Sequence, residues 1–301
     1  MATLRELKTR IGSVSSSEKI TGAMKMISSA KVHKNEQELR RLLPFKNRLM
    51  SIVGHLLDAD ATFSSPLIEN RSDVKNIALV AFGSDDGLCG AYNVNIYKYL
   101  LEIIYGLREK YGSKVKFTVF VVGSKLYRTS AKLRAQGIDV ITTKGVDSKM
   151  AGDKVSEFTD RLRKDFLAGE FDIISVVYMK FFSISRQRPN TEQLFPVNPT
   201  ALLESSENKD NSKSDTNKPY IFEPDPNSIF NQVLPMYVQS MMQDITVENR
   251  ASEQAARIMA MQSANDNAKK LLESLQLEYN KLRQQSITTE LLDIIGGQVE
   301  R

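Results

Sequence analysis

The chain has 301 residues, 41% hydrophobic and 26% charged, a composition typical of a folded protein with a substantial core and not of a disordered chain. A single cysteine, Cys89, and two histidines exclude an internal disulfide and argue against a metal or redox site built from these residues. The net charge is +5, and the excess positive charge lies in residues 1–50, which contain 11 Lys and Arg but only 4 Asp and Glu. Two interpretations of this basic segment are open: a helix face exposed to solvent, and a surface that contacts an acidic partner.

The first predicted element is a long helix in residues 1–57. Thr3 and Glu6 have the spacing of a capping box, and apolar residues then recur every three or four positions, as in a coiled-coil seam. Pro44 predicts a bend, but the apolar pattern resumes after it, so we expect one kinked helix of roughly 80 Å. The seam residues of its first half are Leu4, Leu7, Ile11, Val14, Ile20, Met24 and Ile27.

Residues 74–200 alternate between strand-like and helix-like patterns. Such alternation predicts a central domain with an open, largely parallel, Rossmann-like α/β sheet. The predicted strands are residues 75–83, 115–123, 139–142, 171–181 and 192–197, and the predicted helices are residues 93–109, 125–136 and 149–167.

The loop in residues 83–90 follows the first predicted strand, where an α/β domain could hold a phosphate. It has neither GxGxxG nor GK[ST], and the carboxylates of Asp85 and Asp86 would repel an anion. We therefore interpret this loop as a tight turn and not as a metal site. We interpret Cys89 as a small structural residue and not as a nucleophile. No catalytic, cofactor-binding or metal-binding residue is predicted, and no cofactor.

The last two segments are a loop and a second long helix. Residues 201–220 are predicted to be a flexible insertion, because residues 204–218 contain no apolar side chain. Residues 225–297 are predicted to be helical, with Asp225 as the cap and Pro226 at the first helical position. Only one polar residue occurs in residues 255–261, which predicts burial on more than one side. Near the end an apolar arc of about 160° requires a partner; it consists of Ile287, Leu291, Leu292, Ile294 and Ile295.

The fold class that follows is α/β, with a long antiparallel coiled coil of the N- and C-terminal helices and the α/β domain inserted between them. The pair of helices is expected to project as a rod, since its length exceeds that of any compact domain of this size.

Three motifs in this chain resemble the gamma subunits of F-type ATP synthases. They are IGSVSSSEKITGAMKMISSAK in residues 11–31, SDDGLCGAYN in residues 84–93, and the run from ASEQAARIMAMQ to QSITTE in residues 251–290. The resemblance covers nearly the whole chain. It implies a noncatalytic central rotor shaft that couples ion-driven ring rotation to ATP synthesis in the catalytic beta subunits.

The resemblance also implies partners and contact residues. The expected partners are a hexamer of alpha and beta subunits, the epsilon subunit and the membrane c-ring, at the cytoplasmic face of the bacterial inner membrane. The shaft, basic in its first helix, would face acidic loops of beta, and the apolar tip would turn in an upper bearing. The residues implied to contact partners are Met24, Lys25, Arg257, Arg283, Gln284, Thr288 and Glu290.

The chain departs from the family pattern at a few positions, and other functions remain open on the residues alone. Gly22 replaces a usual Lys, which removes one positive contact, and Asp86 replaces a usual basic residue. The alternative function is an α/β ligand-binding or enzymatic domain with coiled-coil dimerisation arms; a third is an adaptor on a membrane surface. No nucleic acid partner is expected, because the basic residues are not interleaved with aromatic ones. No direct membrane insertion is expected, because no apolar run is long enough.

Overall fold

The computed structural model describes residues 3–57, 63–71, 73–142, 146–198 and 222–299. The predicted insertion in residues 201–220 lies outside the described residues. The helices of the described part are α1 (Leu4–Leu57), α2 (Tyr92–Tyr111), α3 (Ser124–Ser130), a 3₁₀ turn (Ala131–Gln136), α4 (Gly152–Leu167) and α5 (Pro226–Val299). Its strands are β1 (Asn76–Phe82), β2 (Lys116–Val122), β3 (Asp139–Thr142), β4 (Ile173–Ser183) and β5 (Arg186–Phe195).

The five strands form one sheet in the order β3-β2-β1-β4-β5. The first four are parallel, and β5 returns antiparallel to β4 as a hairpin. The predicted largely parallel α/β sheet is therefore confirmed. The predicted fifth strand, residues 192–197, is only the end of β5, because the polar first half of that strand has little hydrophobic signal. The predicted helix in residues 125–136 is likewise divided into α3 and the 3₁₀ turn.

The sheet is buried on both faces, which explains the continuous apolar runs of its central strands. One face packs against α4, the second half of α1 and the first half of α5. The other face packs against α2, which presents Ile96, Leu100 and Ile104 at helical spacing. Burying each such side chain stabilises the fold by about 1.5–3 kcal/mol, so this three-layer core holds the domain together.

Side-chain caps start both long helices, as predicted. The Thr3 backbone N–H donates to Glu6 Oε2 at 2.9 Å, and the Glu6 N–H donates to Thr3 Oγ1 at 3.3 Å, which completes the capping box. At the start of α5, the Ser228 N–H donates to Asp225 Oδ1 at 2.9 Å. The hydrogen bonds from Ser228 hold the pKa of Asp225 below its ordinary value. Pro44 and Pro235 are both accommodated inside their helices.

The chain divides into two compact units. The shaft unit consists of Met1–Ala30 and Arg257–Arg301, and the body unit is Lys31–Ala256. The body unit contains the whole sheet and the second half of α1. There α1 and the segment after it run antiparallel to α5, since Lys46 pairs with Asp244 at 2.5 Å while the Ser64 N–H donates to Asn227 at 3.1 Å.

The predicted α1 seam is only partly correct in the shaft unit. Leu7 is fully buried, but Ile20 and Ile27 are 59% and 57% exposed. The reason is a polar contact: Asn265 Nδ2 donates to the Glu18 carbonyl at 2.7 Å and lies 3.3 Å from Thr21 Oγ1. A buried amide is costly without partners, so this contact turns the face with Thr21 toward α5 and leaves the isoleucines outside.

Candidate functional site

The seven residues predicted to contact partners all lie in the shaft unit. Met24 and Lys25 are half-buried on α1, whereas Arg283, Gln284, Thr288 and Glu290 are exposed on α5. Arg257 is 5% exposed, so contact through its guanidinium would require this side chain to leave its buried position. The residues are therefore distributed along two helices and do not converge on one pocket. This distribution fits an extended binding surface and does not fit a catalytic centre.

The last turns of α5 carry two neighbouring stripes of side chains. One stripe has Arg283 at its base and Ile287 and Ile294 above it, at spacings of four and seven residues. The other has Gln284 and then Thr288, whose hydroxyl donates to the Gln284 carbonyl at 2.9 Å. The first stripe is polar at its base and apolar at its end, whereas the second is polar as far as Thr288. A partner that covers this segment must match that order.

The apolar end of α5 is exposed. We define the apolar tip by its five large side chains, which are between 49% and 63% exposed: Ile287, Leu291, Leu292, Ile294 and Ile295. Exposing adjacent large apolar side chains is unfavourable in water, and such patches mark sites of protein association. The predicted exposure of this arc is therefore confirmed.

The loop in residues 83–90 is closed by its own carboxylate. Asp85 accepts hydrogen bonds from the backbone N–H groups of Ser124 and Ser148, both at 2.8 Å. Although burial raises the pKa of this carboxyl, these backbone donors lower it more, and the net pKa lies below the ordinary value. Asp85 thus accepts from the first N–H group of α3, and its negative charge disfavours an anion at this edge of the sheet. Asp86 pairs with Lys149 at 2.8 Å, so both carboxylates have partners.

Two glycines permit the close approach of strand ends beside this loop. A Cβ on Gly123 would lie 2.9 Å from backbone atoms of Gly83 and Ser84, and its φ of +106° favours glycine. A Cβ on Gly83 would lie 2.3 Å from Leu126 Cβ. The space that glycines leave open for a ligand in other α/β domains is occupied here by protein backbone and by Leu126.

A residue that sequence reasoning missed lies at the carboxyl end of β1, beside the second half of β4. Asn249 of α5 is 1% exposed, and its amide reaches the Gly83 carbonyl, the Met179 N–H and the Tyr92 hydroxyl. The only signal in the sequence was an asparagine in a helical stretch that is otherwise largely buried. Its partners are 70 to 166 residues away along the chain, so no local pattern could identify them. Within the described ranges, no group of three or more His, Cys, Asp or Glu is placed to hold a metal ion.

Comparison with protein families gives one match that spans nearly the whole chain. The family model described as ATP synthase matches residues 3–299. The ATP synthase gamma chain of Bacteroides thetaiotaomicron is 36% identical to this chain over 303 residues, covering 100% of each. The ATP synthase gamma chain of Polynucleobacter asymbioticus is 35% identical and covers 99% of each.

Comparison with solved structures identifies the same fold. A chain in the OSCP/F1/c-ring structure of the Euglena gracilis mitochondrial ATP synthase matches with a TM-score of 0.64 at 20% identity, covering 98% of this chain and 93% of that one. A chain in the central stalk and c-ring structure of the Tetrahymena thermophila mitochondrial enzyme matches with a TM-score of 0.53 at 19% identity, covering 81% of this chain and 99% of that one.

Proposed function

Because the chain belongs to the ATP synthase gamma-chain family, we propose that it is the central rotor shaft of an F-type ATP synthase. The shaft couples ion-driven rotation of a membrane ring to ATP synthesis in catalytic beta subunits. The chain itself is a noncatalytic subunit of that complex. Its partners are the alpha and beta subunits as a hexamer, the epsilon subunit and the c-ring.

The single observation that supports this function best is the exposed surface of the shaft unit. Besides the apolar tip, this unit exposes large apolar side chains along its length: Ile20, Met26, Ile27, Met259, Leu271 and Leu277. A surface of this kind needs a surrounding partner. A hexamer that encloses the shaft unit supplies one, whereas the rival function, a ligand-binding domain with dimerisation arms, leaves the apolar tip uncovered.

The basic residues of α1 complement this apolar surface. Arg5, Lys8, Arg10 and Lys19 are all exposed. Charge attraction at a solvated surface acts over several ångströms and does not depend on one fixed geometry, so it can hold α1 near acidic beta loops while the shaft turns.

The coupling mechanism follows from the asymmetry of this surface. α1 and α5 present different side chains around the shaft, so each beta subunit meets a different face at a given rotor angle. A partner's conformational equilibrium shifts only through differential contacts with its two states. Rotation changes which beta subunit meets which face, and thereby changes which conformation is favoured in each.

Membrane association follows from the proposed complex. Among the described residues, no helix is long and apolar enough to cross a membrane. We propose peripheral association through the c-ring, at the cytoplasmic face of a bacterial inner membrane.

Reconstitution tests the proposed function. The tagged full-length chain, expressed with the alpha and beta subunits of its source, should co-purify with both in one complex. A bead attached to the body unit should then rotate when ATP is added. A chain that forms a nucleotide-binding homodimer and leaves alpha and beta unbound would contradict the proposal and support the rival function.

The polar base of the tip stripes gives a first prediction about contact residues. Arg283→Ala should lower coupled ATP synthesis by about threefold without preventing assembly, because one exposed charged contact is worth roughly 0.5–1 kcal/mol. The measurement is ATP synthesis by reconstituted vesicles, normalised to assembled complex. Lys281→Ala is the matched control, because Lys281 is an exposed cation two residues away on another face of α5. Equal synthesis by both variants and the unmodified complex would remove Arg283 from the contact surface.

A further inference from the structure

The sheet has a crevice of the kind that binds ligands in other α/β domains. The chain proceeds from β1 to β2 and β3 on one side of the sheet, and then crosses to β4 on the other side of β1. The order of the strands thus reverses between β1 and β4. In open α/β sheets, ligands bind outside the carboxyl ends of the strands at this position.

In this protein the crevice is filled by the protein's own helix. Asn249 Nδ2 donates to the Gly83 carbonyl at the end of β1 at 3.3 Å, and Asn249 Oδ1 accepts from the Met179 N–H of β4 at 3.3 Å. The Tyr92 hydroxyl of α2 lies 2.7 Å from the same oxygen and 3.1 Å from the Asn249 carbonyl. One buried amide therefore joins α5 to three elements on both sides of the reversal. We call Asn249 and these three partners the amide hub.

The next residue extends this attachment to the loops at the same edge of the sheet. Arg250 Nε donates to the Ser148 carbonyl at 2.8 Å, and its guanidinium also contacts the Met150 carbonyl. Ser148 in turn donates its N–H to Asp85, which also holds the start of α3. Two consecutive residues of α5 are thus connected to the end of β1, to the second half of β4, to α2 and to the loop before α4.

We propose that the amide hub is the torsional anchor of α5 in the body unit. This inference rests on the proposed function as a rotor shaft, in which torque must pass between the body unit and α5. Apolar packing of α5 against the sheet also opposes rotation of the helix, but it does not define one helix angle through directional bonds. Hydrogen bonds have fixed lengths and angles, so a set that radiates from one point of a helix opposes rotation in either sense. Asn249 is a positioning residue in this scheme.

The test measures torsional stiffness in the assembled complex. The alpha and beta hexamer is fixed to a surface, and a bead is attached to a cysteine that replaces the exposed Lys98 of α2, while the native Cys89 is buried. The variance of the bead angle during a pause gives the torsional spring constant. Asn249→Ala should lower this constant by about twofold or more, since it removes the three side-chain hydrogen bonds of the hub and leaves only the one from the Tyr92 hydroxyl to the backbone carbonyl of residue 249.

Two further variants make the result specific. Tyr92→Phe removes only a hydroxyl and should lower the spring constant by a smaller factor than Asn249→Ala. If Asn249→Ala does not assemble, Tyr92→Phe alone tests whether the amide hub is the anchor. Gln243→Ala is the matched control, because Gln243 lies on the same helix and makes a single 3.3 Å hydrogen bond to Ser156 of α4. It should leave the spring constant unchanged.

The outcomes distinguish the anchor from the proposed function. If the unmodified complex shows no rotation of the bead, the proposed function is wrong. If the bead rotates but the spring constant of both hub variants equals that of the unmodified complex, the amide hub is not the anchor. The same conclusion follows if Gln243→Ala lowers the spring constant as much as the hub variants do.

Discussion

Asp172→Ala is expected to lower the free energy of unfolding by about 3 kcal/mol. Asp172 precedes β4 and is 8% exposed. Its Oδ2 accepts the backbone N–H groups of Lys75 at 2.7 Å and Asn76 at 2.9 Å, at the start of β1. Its Oδ1 accepts from Arg71 at 2.9 Å. Removing the carboxylate leaves all three donors without this acceptor.

Arg71 explains why the cost should be large. Its guanidinium also donates to the Phe166 carbonyl at 2.7 Å and to the Phe171 carbonyl at 3.0 Å. These carbonyls lie at the end of α4 and in the segment that leads to β4, so Arg71 and Asp172 together fix the geometry of that connection. Without Asp172, Arg71, whose side chain is 31% exposed, loses its counter-charge while its remaining hydrogen bonds hold it in place, and this loss adds to the cost.

The measurement is chemical unfolding of the full-length chain followed by circular dichroism, since the chain has no Trp. Asp73→Ala is the matched control, because the ion pair of Asp73 with Lys75 is about three-quarters exposed on both sides and is screened by solvent. Although burial raises the pKa of Asp172, hydrogen bonds from Arg71 and the β1 backbone hold it below 3.8. Its contribution should therefore be present above pH 3.8 and be lost as the pH falls through the folded-state pKa. Equal losses in the two variants would contradict this role.

Glu248→Gln is expected to stabilise the chain by about 1–3 kcal/mol at pH 8 and to remove a pH dependence between about pH 4.5 and 7. Burial, reinforced by the charge of Asp244, raises the pKa of Glu248 from 4.5 to about 7. Its Oε2 is buried and has no hydrogen-bond partner among the described residues. The neutral amide avoids the cost of ionising this group in the folded protein.

The charges around Glu248 explain this shift. Asp244 of α5 and Glu192 of β5 disfavour its ionised form, whereas Lys46 of α1 and Lys180 of β4 favour it. Three carboxylates thus face two ammonium groups, so this cluster of five side chains is electrically neutral only when one of its carboxyls holds a proton. Glu192 accepts from the Tyr178 hydroxyl at 2.7 Å, and Asp244 pairs with Lys46, so Glu248 is the member left to take the proton.

The sign of the pH effect follows from linkage. Between pH 4.5 and 7 the unfolded chain releases the Glu248 proton while the folded chain retains it, so the stability of the unmodified chain should fall as the pH rises. Asp172 and Asp85 have lowered pKa values and act below pH 3.8, outside this window. The measurement is the free energy of unfolding at several pH values, with Glu278→Gln on an exposed position of α5 as the control for loss of one charge. A slope that persists in Glu248→Gln would show that another group is responsible.

The sequence by itself determined the elements of this protein and the character of its surfaces. Helical and strand periodicities are local properties, so α1, α5 and the parallel strands could be predicted from residues a few positions apart. The capping box at Thr3 and Glu6 and the cap at Asp225 follow from spacings of three residues. The exposed tip could be predicted because its apolar arc is wider than one neighbouring helix can cover.

Only the tertiary structure decided which faces pack and which polar groups meet. Ile20 and Ile27 fit the predicted seam, but the amide of Asn265 requires a carbonyl and a hydroxyl, and this requirement selects another face of α1. Asn249 is 166 residues from its partner Gly83 and 70 residues from its partner Met179, so no local period connects them. A buried polar group is placed by the geometry of its hydrogen bonds, and that geometry exists only when distant elements have assembled.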